Sequence, residues 1–212
     1  MRYLLTILLV CTAFASCKSK DCTFSPQSGD LLFCVAEQSA MSDAIVDATS
    51  TGDNTRFDHV AIFAIFAIIN GEAKVIEAST KDGVVCRDWE AFREESKNGI
   101  VVKRTNCVIN IHKAIKRATS LIGQPYDWSY LPNNGKVYCS ELIYDCYLTE
   151  DGKPVFTAKP MNFRDADGNL PQFWIDLFNK LDEPVPEGVP GTNPNDMSKE
   201  NILTEVYRYK TD

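Results

Sequence analysis

Histidine is nearly absent from this chain: 212 residues contain only His59 and His112. Any imidazole chemistry must therefore use one of two side chains. No cysteine pair has C-x-x-C spacing, which argues against zinc-ribbon and thioredoxin-like sites. There is no Lys/Arg cluster, and the formal net charge is −7. A surface of that sign does not suit phosphate backbones, so nucleic acid is not expected as a partner. Internal repeats and a domain boundary are also missing, and the length fits one domain with a substantial core.

Residues 1–16 read as a targeting segment. Arg2 gives a positive start, residues 4–10 an apolar stretch too short to span a membrane, and Ala13-Phe14-Ala15-Ser16 a small-residue exit. Cys17 follows at once. This resembles a bacterial lipoprotein signal, in which such a cysteine is lipidated and becomes the mature N-terminus. The expectation is an exported, cell-envelope lipoprotein (bacterial periplasm or outer membrane). It has a signal at residues 1–16, a lipidated Cys17 with a polar tether to residue 28, and one domain over residues 29–212. Six further cysteines lie outside the leader and the lipid site: Cys22, Cys34, Cys86, Cys107, Cys139 and Cys146. Export permits disulfides, but spacing assigns none.

Along the domain, residues 31–35 read as a buried strand and residues 37–56 as a helical turn with a surface loop. Residues 58–69 read as a central apolar strand. Asn70-Gly71 signals a two-residue hairpin turn, with residues 74–78 returning. That register sets Ile69 against Glu72 and keeps Glu77 and His59 from being direct cross-strand partners. Short strands are expected at 83–87, 99–104 and 202–209. Helices are expected from an Asp88 cap, from an Asn110 cap to Gly123, and over residues 173–178. The class is α+β, with an antiparallel sheet packed against helices.

Chemistry concentrates at Tyr138-Cys139-Ser140-Glu141-Leu142-Ile143. Leu142, Ile143, Cys146 and Tyr147 follow Cys139 at the spacing of one helical face, so Cys139 opens a helix. The positive end of a helix dipole favours thiolate. His59, on a rigid strand, is the better base of the two histidines. Glu77 is the candidate third member that would fix the imidazole tautomer, and an exposed strand glutamate is the plain alternative. Tyr126 could donate to a developing oxyanion, or simply pack.

These residues, read as Gly29-Asp30-Leu31-Leu32-Phe33, Asp58-His59-Val60-Ala61-Ile62, Val75-Ile76-Glu77-Ala78, Gly123-Gln124-Pro125-Tyr126-Asp127 and Tyr138-Cys139-Ser140-Glu141-Leu142, resemble the YiiX/YebB-like group. That group consists of circularly permuted members of the papain-like NlpC/P60 superfamily, with histidine ahead of cysteine as here. A looser echo occurs at Asn193-Pro194-Asn195-Asp196-Met197. The resemblance implies a papain-like NlpC/P60 fold of permuted topology with the nucleophile at a helix N-terminus. It implies a Cys139–His59–Glu77 triad, Tyr126 beside the oxyanion, and no metal or other cofactor. The expected activity is that of a cysteine amidase or peptidase, on small peptide or amide substrates such as peptidoglycan fragments. Two alternatives stand beside it. One is a lipid-directed acyltransferase or phospholipase of the LRAT type, with Phe63, Phe66, Trp128 and Tyr130 lining an apolar cleft. The other is a non-catalytic envelope binding lipoprotein.

Overall fold

A computed structural model describes residues 24–49, 56–66 and 71–210. The leader, Cys17, Cys22 and Asn70 lie outside the described residues. The elements run β1 (Leu31–Val35), α1 (Ala40–Thr49), β2 (Phe57–Phe66), β3 (Glu72–Ser79), β4 (Gly83–Asp88), α2 (Trp89–Glu95), β5 (Ile100–Thr105), α3 (Ile111–Ser120) and α4 (Cys139–Cys146). They continue with β6 (Lys159–Pro160), α5 (Gln172–Leu181), β7 (Pro190–Gly191), α6 (Pro194–Ser198) and β8 (Leu203–Tyr209). This is the α+β architecture expected from the pattern. Helix α1 is the main addition, since residues 37–56 read as only a turn of helix.

Six strands form one antiparallel sheet in the order β4-β3-β2-β1-β5-β8. The middle of the sheet is apolar on both faces because both are covered. Leu31, Phe33, Val60 and Ile62 pack with Leu142, Ile143 and Cys146 of α4 and with Ala114 and Ala118 of α3. Leu32, Ala61, Phe63 and Val75 pack on the opposite face with Trp89 and Phe92 of α2. Burying side chains of the size of Leu142 and Ile143 stabilises by about 1.5–3 kcal/mol each. That burial seats α4 against β2.

The capping residues behave as the sequence predicts. The Asp88 carboxylate accepts the N–H groups of Glu90 and Ala91, and Asn110 accepts that of Lys113.

The β2–β3 register differs from the two-residue hairpin. Phe66 pairs with Glu72 and Ile62 with Ile76, so partner numbers sum to 138, and Glu72 meets Phe66 instead of Ile69. The physical consequence is large. A register displaced by an odd number of residues moves every side chain of one strand to the other face. In the observed register His59 lies opposite Ser79 by extension. Glu77 is then its diagonal neighbour on the same face, within reach of a long side chain.

Candidate functional site

His59 sits two residues into β2, beside a β-bulge. Cys34 pairs with His59, but the next residue, Val35, pairs with Phe57, leaving Asp58 as the extra residue. Bulges bend a strand and re-aim the side chains next to them. The strand end is clamped from α6. The Asn195 side chain accepts the Phe57 N–H at 2.8 Å and donates to the Phe57 carbonyl at 2.8 Å. It also donates to Thr49 Oγ1 at 2.7 Å. Asp58 turns away to accept from Ser42 Oγ at 2.5 Å and from the Glu37 N–H at 3.1 Å.

The His59 Nε2 atom lies 2.7 Å from Glu77 Oε2. Glu77, 5% exposed, also accepts from Arg87 Nη1 at 3.2 Å. Arg87 in turn pairs with Glu95 at 2.5 Å. With Nε2 taken by the carboxylate, Nδ1 is the nitrogen left for Cys139, which lies close enough to raise the pKa of the imidazole. Burial alone would lower the His59 pKa. The hydrogen bonds and charges of Cys139 and Glu77 outweigh burial and hold it well above the usual imidazole value. Burial would likewise raise the Glu77 pKa, but His59 and Arg87 outweigh it and pull the carboxyl below its ordinary range.

Cys139 opens α4, as the spacing predicts, and is buried. Its N-cap, Tyr138, is extended, and the Glu141 carboxyl accepts the Tyr138 N–H at 3.4 Å, one half of a capping box. The loop before the helix is folded by one side chain. Asp127, fully buried, accepts the N–H groups of Ser129 and Leu131 and the amide of Asn134, each at 2.9 Å. Tyr130, inside this loop, has φ of +53°, a left-handed conformation costly for a non-glycine residue. Tyr126 is fixed from the other side. Val84 N–H donates to the Gln124 carbonyl and Gly123 N–H to the Val84 carbonyl, both at 2.8 Å. Gly83 permits this stitch, because a Cβ there would lie 2.2 Å from the Gln124 oxygen.

Tyr126, 6% exposed, lines the clefts on both sides of the pair. Burial, then the nearby Tyr130 and Cys139, push its phenol well above the usual range, so it stays a donor. The structure therefore gathers Cys139, His59, Glu77 and Tyr126 in one place. His112 is exposed on α3. Of the four aromatics proposed for an apolar cleft, only Tyr130 lines the cavity beside Cys139. Phe63 is core against Trp89, Phe66 packs on the main core, and Trp128 packs on Tyr126.

Sequence reasoning did not find Arg87, Asp127, Trp174 or Thr192, and it left Asn195 as an unassigned echo. Arg87 was within reach, since strand alternation in β4 points it to the same face as its partner Val75 and hence as Glu77. The others are brought in by loops whose course only the fold decides.

A family profile described as "Permuted papain-like amidase enzyme, YaeF/YiiX, C92 family" matches residues 25–207. Among individual proteins, the chain is similar to the uncharacterized protein YiiX of Escherichia coli strain K12. The two are 26% identical over 187 residues, covering 86% of this chain and 83% of that protein. Among solved structures it resembles one described as metalloprotein yiiX from Escherichia coli O157:H7. The TM-score is 0.70 and the identity 22%, over 89% of this chain and all of that one. No group of three or more His, Cys, Asp or Glu side chains able to hold a metal ion occurs among the described residues. His59 Nε2 is taken by Glu77 Oε2, and no further Cys, His, Asp or Glu side chain completes a metal-binding group with them among the described residues. This donor set does not fit a metal.

Proposed function

The chain belongs to the permuted papain-like amidase family (YaeF/YiiX, C92), and from that premise we propose that it hydrolyses an amide bond by thiol acyl transfer, with Cys139 as nucleophile. The observation that carries this reading is the His59 imidazole hydrogen-bonded to the buried Glu77 carboxylate, with Cys139 near enough at the start of α4 to interact with the same ring. His59 takes the thiol proton. The thiolate Sγ adds to the amide carbonyl carbon, and the Cys139 backbone N–H with the Tyr126 hydroxyl stabilises the oxyanion. The C–N bond then breaks as imidazolium returns its proton to the leaving amine. Water attacks the thioester, giving its proton to His59, and the C–S bond breaks to release the acid and restore the thiol. Glu77 orients the ring and stabilises its charged form, and Arg87 keeps Glu77 ionised.

The other buried cysteines are poor rivals. Burial pushes the thiols of Cys34 and Cys146 up to about 12. A thiol so raised supplies little thiolate at neutral pH.

Residues 1–16 and Cys17 add the proposal of an exported, lipid-anchored envelope protein. No helix among the described residues is long and apolar enough to cross a membrane. An envelope location favours peptidoglycan-derived peptides or related amides as substrates.

The test is alkylation of Cys139 by iodoacetamide across pH, mapped by peptide mass spectrometry, in the wild type and in His59→Ala. Selective labelling well below about 8.5, the free-thiol value, should move upward in the variant. A Cys139 that labels no better than a free thiol, with no change in His59→Ala, would remove the nucleophile and leave a binding protein on this fold.

A further inference from the structure

Five buried side-chain polar atoms lack a hydrogen-bond partner among the described residues: Tyr130 Oη, Ser140 Oγ, Trp174 Nε1, Glu183 Oε2 and Thr192 Oγ1. Buried polar groups are normally paired, so each orphan asks for an explanation. Four of the five belong to residues that line one cavity, the one Cys139 faces. The cavity is open to solvent and has a volume of about 60 Å³. Its walls include Ile45, Met161, Phe163 and Pro194. Trp174 is 3% exposed and Thr192 9%. The Tyr130 hydroxyl lies beside that of Tyr126, and the Thr192 hydroxyl beside that of Tyr138, neither with a well-directed hydrogen bond.

On the far side of the Cys139–His59 pair the surroundings change character. A wider cleft of about 360 Å³, also open to solvent, is lined by His59, Glu77, Arg87, Asp58 and Glu95, with Met41 and Phe92 among its apolar residues. His59 protonates the leaving amine, so the amine belongs on that polar side. The acyl group then belongs in the cavity beside Cys139.

We propose that this cavity is the acyl subsite and that it takes an N-acylated aminoacyl group with an apolar side chain, not a plain hydrocarbon chain. The proposal rests on the reading of Cys139 as nucleophile and specifies its substrate. Its warrant is the hydrogen-bond inventory. An indole N–H is a donor only, while a threonine hydroxyl can donate or accept. A peptide group presents one acceptor and one donor, which matches that pair. The apolar walls receive the side chain. A fatty acyl chain would fill the walls and leave the indole N–H and hydroxyls buried without partners, which costs binding. A site built to hydrogen-bond one group discriminates strongly against an analogue lacking it.

Two matched pairs of probes decide the matter. N-acetyl-leucinamide and 4-methylpentanamide share an alkyl skeleton and differ by the acetamido group. Each is titrated calorimetrically into the Cys139→Ala protein, alone and combined with Thr192→Val or Trp174→Phe. The acetamido probe should bind at least about tenfold more tightly, and each added substitution should remove roughly tenfold of that preference. Thr192→Val deletes an orphan group at nearly constant volume, so its melting temperature should hold or rise, whereas Trp174→Phe also removes packing against Tyr130 and Phe163 and should lower it. Equal binding of the two probes, binding of neither, or an equal effect of the substitutions on both would overturn the proposal. The corresponding p-nitroanilides, given to the protein with Cys139 intact, test the reading beneath it. If neither is hydrolysed while the binding preference holds, the catalytic reading falls and the pocket's chemistry stands.

Discussion

Replacing Glu141 with Gln should make this protein more stable, by an amount that grows with pH. Glu141 is 7% exposed, two residues after Cys139 in the first turn of α4. Burial, and then the negative charge of Asp145, push its carboxyl from the ordinary 4.5 up to about 8, although the Tyr138 N–H opposes the change. The native state thus holds a proton that the unfolded chain releases above pH 4.5. Stability therefore falls as pH rises from 4.5 to about 8. Each pH unit in that window costs about 1.4 kcal/mol. At pH 7 the accumulated cost is of the order of 3 kcal/mol, and at pH 5 under about 1 kcal/mol. Glutamine keeps an acceptor for the Tyr138 N–H and never ionises. With about 2–4 °C per kcal/mol for a chain of this size, the variant should melt roughly 6–12 °C higher at pH 7. Thermal unfolding followed by circular dichroism at pH 5, 6, 7 and 8 measures the difference. A gap independent of pH, or a variant less stable throughout, would refute the argument that Glu141 carries a retained proton. The proton also has a local use. A neutral carboxyl keeps negative charge away from the place where a Cys139 thiolate would form.

Three further outcomes follow from the geometry. Glu77→Gln removes a charge that raises the His59 pKa, so the alkaline limb of kcat/KM should move to lower pH. With the imidazole less well held, kcat should fall by on the order of 10²–10⁴, and an unmoved limb would exclude Glu77 from the charge balance. Asn195→Ala leaves the buried Phe57 N–H and carbonyl unpaired, costing about 2–5 kcal/mol. Below its melting temperature the variant should also lose the low-pH labelling of Cys139, and labelling that stays normal would make Asn195 a purely structural clamp. Cys17→Ser should shift the full-length protein expressed in bacteria from the detergent phase to the aqueous phase in a two-phase extraction. Retention in the detergent phase would discard the lipid anchor.

Local chemistry was legible in the sequence, and relations across space were not. The start of α4 at Cys139 follows from one-face spacing, and the caps at Asp88 and Asn110 follow from side chains that satisfy helix N–H groups within three residues. Strands β1 to β5 announce themselves as apolar runs between turn residues, and the motif order resembled the permuted family that the chain belongs to. His59 and Cys139 were both identifiable because they open a strand and a helix. Their pairing with Glu77 turned on whether Glu72 meets Ile69 or Phe66 across the β2–β3 hairpin. A change of three in the register selects the face, and the apolar pattern on doubly covered strands fits either choice. The clamp of Asn195 on Phe57, the Arg87 contact with Glu77, and the grouping of Trp174 and Thr192 around Cys139 were beyond any local pattern. These residues lie 10 to 138 positions from their partners. Sequence fixes only what neighbouring residues can satisfy between themselves, whereas a buried polar group takes whichever partner the packed chain brings to it.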